Sequence, residues 1–392
     1  MSAGNRLDDL RRISDAALEV FRGAGADEVG PDILQPADPF LDLLGENIRS
    51  RTYVFTDPGG AELCLRPDLT LPVARIYKKR NPECTAERLY CYSGPAFRYQ
   101  SGAAQEDVAH PREFEQVGIE WFHGPDPTAA EARLAGLTAQ ALRRAGIADF
   151  NMRIGNPGLF RALLEKIDMP DRWRRRLRHQ FWRPQAFHAL LHSFCANGAA
   201  ARSEERERQL LDELDGLGLA EAARKVEARL GRENFPLVGG RRPEDIAARL
   251  LEQAADRAAE PLAQHAADLI EDYLSIDGEP EACLEKIGAL TGAAGIDLSG
   301  PLDTFTRRIA LLREEGFDMQ KARFDAEFGR QFEYYSGFVF QMEAPGAEDE
   351  PLAGGGRYDD LLQHLGAPVP VPALGVALHS ERIAAAGKAG GQ

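Results

Sequence analysis

Two short segments of the chain combine tyrosines and an arginine with glycines, inside sequence that otherwise favours strands. Residues 330–337 are RQFEYYSG, and residues 354–359 are GGGRYD. Tyrosine offers a flat wall and a hydroxyl group, and glycine lets the backbone approach a ligand closely. The two segments therefore predict the walls of a small-molecule pocket.

Composition and charge describe an ordinary globular chain whose main work is not to grip nucleic acid. A length of 392 residues suffices for two or three domains with a sizeable core. Hydrophobic residues make up 44% and charged residues 28%, as in an ordinary globular protein. The net charge is −15, whereas nucleic-acid-binding proteins normally carry a basic face or a basic total. Residues 1–15 lack the apolar core of a signal peptide, and no run of about 18 apolar residues follows. We expect a cytoplasmic protein.

The cysteines give no sign of a metal centre. They form no CxxC pair and no zinc-type spacing with the histidines, and their odd number fits a reducing compartment. We interpret them as buried or idle thiols, and we predict neither a metal site nor a cofactor. They are Cys64, Cys84, Cys91, Cys195 and Cys283.

Hydrophobic periodicity divides the chain into a β-rich domain and a helical insertion. Helical spacing marks residues 7–21 and 128–145, and the last block, 350–382, predicts a glycine turn, a short helix and a final strand. Period-two or apolar runs predict strands at residues 51–56, 89–93, 116–122, 150–154, 324–328 and 338–342.

The middle of the chain has a different texture, rich in Ala, Leu, Glu and Arg with regular Gly or Pro breaks. We therefore predict an α+β fold, in which residues 1–155 and 317–392 form one discontinuous domain and residues 156–316 a helical insertion. One dense basic stretch, residues 172–178, is either a solvated helix face or a docking site for a partner or a phosphate.

Several segments, taken in order, resemble the catalytic domain of histidyl-tRNA synthetase, a class II synthetase. The resemblance covers about residues 5–155 and 320–385 and implies an antiparallel sheet flanked by helices. A single GGGRYD is a weak signal, but the ordered set is specific. The segments are LRPDLT (65–70), FRYQ (97–100), QVGIE (116–120), the two tyrosine-bearing segments, and Glu-Arg at 381–382.

This resemblance implies a site for free histidine. Its ammonium group would be held by Asp68, Thr70 and Gln116. Its carboxylate would take the fork of Arg98 or Arg330. Its imidazole would meet Glu120 and Tyr335. The remaining predicted wall residues are Tyr334, Gly355 and Tyr358.

Each of these residues also has a simpler interpretation when it is taken alone. Asp68 could start a helix, Glu120 could lie on an exposed strand face, and Arg98 could form a surface ion pair. The tyrosines could belong to the hydrophobic core. Burying such polar groups without partners costs roughly 1–3 kcal/mol each, so the complete set is hard to explain by packing.

The chain departs from the synthetase where that family binds ATP. The second class II motif has glutamate two residues after its arginine, but Gln100 stands there, and residues 101–111 hold Glu106 and Asp107 where a basic loop would cover a triphosphate. His379 replaces a glycine of the third motif, although Arg382 is retained. The synthetase also has glutamate at the position of Asp68.

With these departures the sequence resembles a second family, the regulatory subunits of ATP phosphoribosyltransferase. That transferase is the first enzyme of histidine biosynthesis. That resemblance implies no catalytic residues, no tRNA binding, and histidine as the feedback effector. It also implies a hetero-octamer with a short-form catalytic subunit and, from the class II fold, a homodimer core near residues 33–36. Because the sequence stops at Gln392, we expect no anticodon-binding domain. The alternative is a truncated synthetase paralogue that activates histidine or a related acid with ATP.

Overall fold

The computed structural model describes residues 3–43, 48–100, 111–195, 211–214, 216–233, 242–329, 334–347 and 350–389. The chain forms two compact units, residues 1–163 with 273–392, and residues 164–272. The first contains the sheets and the second is helical. No helix in the described ranges is long and apolar enough to cross a membrane.

A nine-stranded sheet forms the centre of the first unit. Its strands are β1 Asp27–Glu28, β5 Arg88–Phe97, β6 Glu113–Phe122, β7 Asn151–Gly155, β8 Asp277–Gly278, β9 Ala322–Asp325, β10 Val339–Glu343, β11 Ala353–Arg357 and β12 Ala373–His379. They lie in the order β1-β5-β6-β12-β11-β10-β7-β9-β8, and neighbouring strands pair antiparallel except β1 with β5 and β7 with β9. A smaller sheet contains β2 Leu34–Pro36, β4 Glu62–Leu65 and β3 Val54–Thr56, in that order.

The glycine run at 354–356 is part of a central strand, not the turn that we predicted for this block. All of β11 is buried, between β10 and β12. A Cβ atom at Gly355 would lie 1.9 Å from the Gly375 carbonyl oxygen of β12. Close strand packing therefore requires glycine here, and this use of glycine cannot be told from a turn by local sequence.

Helices flank the large sheet. α4 begins after Asp126, whose carboxylate accepts hydrogen bonds from the Thr128 and Ala129 amides, with Pro127 in the first turn. The helices of this unit are α1 Ala3–Gly23, α2 Asp38–Leu43, α3 Thr70–Arg80, α4 Pro127–Arg144, α5 Pro157–Lys166, α11 Pro280–Ala293, α12 Ser299–Glu314, α13 Leu361–His364 and α14 Ser380–Ala389.

The compact units divide the chain differently from the predicted insertion, residues 156–316. α11 and α12 fall in the first unit, where α12 packs against α4 and α11 packs against β9. Hydrophobic periodicity identifies these segments as helices, but it carries no information on which elements they pack against.

The second unit uses its basic stretch internally. Asp256, 9% exposed, accepts hydrogen bonds from Arg172 Nε and Trp173 Nε1, both at 2.6 Å, and from Arg176. Arg174 Nε donates to the Leu164 carbonyl at 2.9 Å. These contacts tie one helix to its neighbours in the unit. Its helices are α6 Asp171–Gln180, α7 Pro184–Cys195, α8 Leu219–Glu233, α9 Pro243–Ala258 and α10 Gln264–Leu274.

A buried Arg-Glu-Arg cluster joins the sheet of the first unit to two of its helices. Glu131 of α4 accepts hydrogen bonds from Arg357 Nε of β11 at 2.6 Å and from Arg308 Nε of α12 at 2.5 Å. All three side chains are less than 10% exposed. The cluster fixes the end of β11 just before Tyr358.

We predict that Glu131→Ala strongly destabilises the protein. The substitution removes the carboxylate that two buried guanidinium groups share, and breaking such a buried pair costs about 3–5 kcal/mol. Denaturant unfolding measures the change in the free energy of unfolding. Glu19→Ala, which removes an exposed pair with Arg144, is the matched control and should change little. Equal effects of the two substitutions would contradict the role of the cluster.

Candidate functional site

Glu120 is the centre of the site. It lies on β6 with none of its surface exposed. Its Oε1 accepts hydrogen bonds from Thr70 Oγ1 at 2.8 Å and Tyr92 Oη at 3.0 Å, and its Oε2 accepts one from Tyr358 Oη. These partners come from the start of α3, from β5 and from the end of β11. One carboxyl group on β6 therefore accepts hydrogen bonds from three other elements.

A glycine on the adjacent strand makes room for this carboxyl group. Gly375 of β12 pairs with Glu120 across the ladder, and a Cβ atom there would lie 1.5 Å from Glu120 Oε2. Any other residue at 375 would displace the carboxyl group from its hydroxyl partners. Our sequence analysis named neither Gly375 nor Tyr92. Tyr92 lies in a predicted strand, but only the pairing of β5 with β6 shows that it faces Glu120.

Burial raises the pKa of Glu120 to about 8. The hydrogen bonds from Tyr358, Thr70 and Tyr92 oppose this rise, and the nearby Asp68 carboxylate adds to it.

Asp68 is the second buried carboxyl group of the site, at 2% exposure. Its Oδ1 accepts the Leu71 amide at 3.3 Å, as expected near a helix start, but its buried Oδ2 has no partner among the described residues. Burial raises its pKa to about 6, against the opposing charge of Arg98. An unpartnered carboxylate oxygen in this position suits a cationic ligand.

Gln116 and Arg98 lie around Asp68 and are held by backbone groups. Gln116 Oε1 accepts the Leu69 amide at 3.0 Å. Arg98 Nε donates to the Pro67 carbonyl at 3.0 Å, and its guanidinium lies 5.0 Å from the centre of the Phe114 ring. Burial lowers the pKa of Arg98 to about 10, which leaves it charged at neutral pH.

Both tyrosines of the pair 334–335 are near this cluster. The rings of Tyr334 and Tyr358 are nearly perpendicular, with their centroids 5.6 Å apart. The centroids of the Tyr334 and Tyr335 rings are 4.8 Å apart. Burial, together with Tyr335, Asp68 and Glu120, raises the pKa of Tyr334 well above its usual value. Tyr335 is 8% exposed. Arg330 lies outside the described residues.

The residues at which the chain departs from or retains the synthetase nucleotide motifs are placed as follows. Gln100 is buried, the His379 ring lies 5.5 Å from the Phe114 ring, and Arg382 Nη1 donates to the Pro351 carbonyl at 3.1 Å. Within the described ranges, no group of three His, Cys, Asp or Glu side chains is arranged to hold a metal ion.

Comparison with known proteins identifies the family. The histidyl-tRNA synthetase family model matches residues 5–235 and 243–383. The chain is 32% identical to an ATP phosphoribosyltransferase regulatory subunit of Chelativorans over 90% of this chain and 91% of that protein. It is 34% identical to one of Mesorhizobium japonicum over 94% and 95%.

Solved structures give the same fold. A Bacillus halodurans protein described as an ATP phosphoribosyltransferase regulatory subunit/histidyl-tRNA synthetase has a TM-score of 0.65 at 20% identity, covering 97% of this chain and 79% of its own. A histidine–tRNA ligase subunit of Alicyclobacillus acidocaldarius has a TM-score of 0.60 at 22% identity, covering 98% and 94%. The predicted class II synthetase-like fold is thereby confirmed. The chain belongs to the family of ATP phosphoribosyltransferase regulatory subunits, which shares the histidyl-tRNA synthetase fold.

Proposed function

We propose that the site binds free histidine and that this binding regulates ATP phosphoribosyltransferase by feedback. The observation that carries the proposal is the pair of buried carboxyl groups, Glu120 and Asp68, one of which has an oxygen without a partner in the described chain. Two buried acids suit a ligand with two basic groups, and histidine has an ammonium group and an imidazole.

Each group of histidine has a matching partner. The unpartnered Asp68 Oδ2 suits the ammonium group, with Thr70 and Gln116 beside it. Glu120 suits the imidazole, within walls formed by the tyrosines at 334, 335 and 358. Arg98, and by family resemblance Arg330, suits the carboxylate.

Regulation without catalysis fits the altered nucleotide motifs. Gln100 stands in place of the adenine-contacting carboxylate, and His379 fills the position of a glycine. Regulation then follows by linkage: histidine binds one state of the complex more tightly and shifts the catalytic partner toward it. In this proposal the protein is cytoplasmic, binds no tRNA, and assembles with short-form catalytic subunits into a hetero-octamer.

The small sheet supports a homodimer core within that assembly. Several of its apolar side chains face solvent: Leu34 is 52% exposed, Val54 41% and Phe55 40%, with Ile33 beside them at 41%. A cluster of exposed apolar side chains commonly marks a protein interface. We propose that a second copy of the chain covers this sheet.

The proposed function predicts histidine binding without histidine activation. Calorimetric titration of the purified protein should give saturable binding, and histidine-dependent ATP–pyrophosphate exchange should remain at background. Exchange above background would support the truncated-synthetase alternative instead. Absence of histidine binding would contradict the sensor.

The tyrosine walls predict graded losses of histidine affinity. Removing one buried hydroxyl that contacts the ligand, by Tyr335→Phe or Tyr334→Phe, should cost roughly 1–2 kcal/mol, or about 5- to 30-fold in affinity. Calorimetry against the unaltered protein measures this loss. An unchanged affinity in either variant removes that hydroxyl from the ligand contacts.

The dimer proposal predicts that a charge on the small sheet separates the protomers. Phe55→Asp should lower the mass measured by light scattering or sedimentation to that of one chain, because the interface would bury an unpaired carboxylate. Val369→Asp, at a position 39% exposed outside this sheet, is the matched control. Persistence of the dimer in Phe55→Asp would place the interface elsewhere.

A further inference from the structure

Within the described part of the chain, the two buried acids of the pocket have different neighbours. Arg98 opposes the charge of Asp68, whereas the hydrogen-bonded partners of Glu120 in the described chain are the hydroxyls of Thr70, Tyr92 and Tyr358. A fully buried carboxylate without a cation is costly, and a proton removes that cost.

Among the described residues, the hydrogen bonds to Glu120 leave one lone-pair position for such a proton. A carboxyl group offers about four lone-pair positions. Thr70 and Tyr92 occupy both positions on Oε1, and Tyr358 occupies one on Oε2. The fourth position, on Oε2, can carry a proton while all three hydroxyls continue to donate.

We propose that the empty site holds Glu120 as a carboxylic acid, and that this acid supplies the proton with which the imidazole of histidine is bound. The inference rests on the proposed histidine site. Histidine enters as the neutral imidazole, the O–H bond at Oε2 breaks, and an N–H bond forms on the ring. One proton moves within the pair and no other reactant takes part. The imidazolium then balances the Glu120 carboxylate.

The other groups around Glu120 do not supply this proton at neutral pH. Burial raises the pKa values of Tyr92, Tyr334 and Tyr358 well above their usual value, and Thr70 does not titrate. Asp68, with a pKa near 6, is mostly ionised at neutral pH.

The exchange predicts how histidine affinity depends on pH. The unperturbed histidine side chain has a pKa of about 6.5, and burial raises the pKa of Glu120 to about 8. Between these values the empty pocket and the complex each hold one proton on this pair, so affinity is nearly constant. Above about pH 8 the empty pocket has lost its proton, binding must take one up, and affinity falls about tenfold per pH unit.

A different fall is expected at low pH. Below about pH 6.5 free histidine is an imidazolium and the empty pocket is still protonated, so binding must release a proton and affinity falls as pH falls. Asp68, with a pKa near 6, adds to this acid limb when the ammonium group requires it ionised. The fall in affinity at alkaline pH combines the deprotonation of Glu120 with that of the histidine ammonium group, and substitution of Glu120 identifies the part that depends on this residue.

The experiment is a calorimetric histidine titration of the full chain from about pH 6 to about pH 9.5, in two buffers of different ionisation enthalpy to count protons. We expect proton uptake to begin near pH 8. Tyr92→Phe removes a donor that stabilises the Glu120 anion, and should move the alkaline limb to higher pH. Glu120→Gln should remove the part of the fall that Glu120 causes and leave the part that comes from the histidine ammonium group. Tyr77→Phe is the control, because this buried hydroxyl donates to the Ala86 carbonyl at 2.8 Å, outside the site.

The outcomes separate this inference from the proposed function. If histidine affinity already falls as the pH rises above about 6.5, Glu120 is ionised before the ligand arrives. That result would overturn this inference and leave the proposed histidine site in place. Binding with no proton uptake near pH 8.5, or an alkaline limb that Tyr92→Phe leaves in place, would do the same. No binding at any pH would contradict the histidine site and the inference together.

Discussion

The structure depends on the complete burial of one carboxyl group in the middle of an antiparallel sheet. Glu120 could not remain there without the hydroxyls of Thr70, Tyr92 and Tyr358, and it could not fit without the missing side chain of Gly375. These residues come from different elements, so the sheet, the start of α3 and the end of β11 must form together. A site with these requirements is costly to retain unless a ligand uses it.

The surrounding structure holds this arrangement in place. Glu131 binds Arg357, one residue before Tyr358, and thereby connects the hydroxyl donor to helices α4 and α12. Asp359 on the other side accepts Arg357 Nη1 at 3.0 Å and the Ala373 amide at 2.9 Å. The end of β11 is therefore fixed on both sides of the tyrosine. Movements of these helices would be felt at Glu120, which is one physical route for regulation.

Much of the fold could be predicted, because strands 116–122 and 150–154 and helix 128–145 have clear periodicity and Asp126 and Pro127 mark a helix start. The carboxyl groups of the site could be identified from ordered motifs. The role of Tyr92 and the strand at 353–357 were missed, since both depend on which strands are neighbours. Local sequence does not encode strand order, and a glycine needed for close packing has the same letter as one in a turn.

The most direct test of the account is the inhibition of the reconstituted complex by histidine. ATP phosphoribosyltransferase activity would be measured with the catalytic subunit and either the unaltered protein, Glu120→Gln, or the control Tyr77→Phe. With the activity of each complex without histidine as its own reference, the account predicts that histidine no longer inhibits the Glu120→Gln complex at concentrations that inhibit the other two complexes. Equal inhibition of all three complexes would show that feedback does not pass through this pocket.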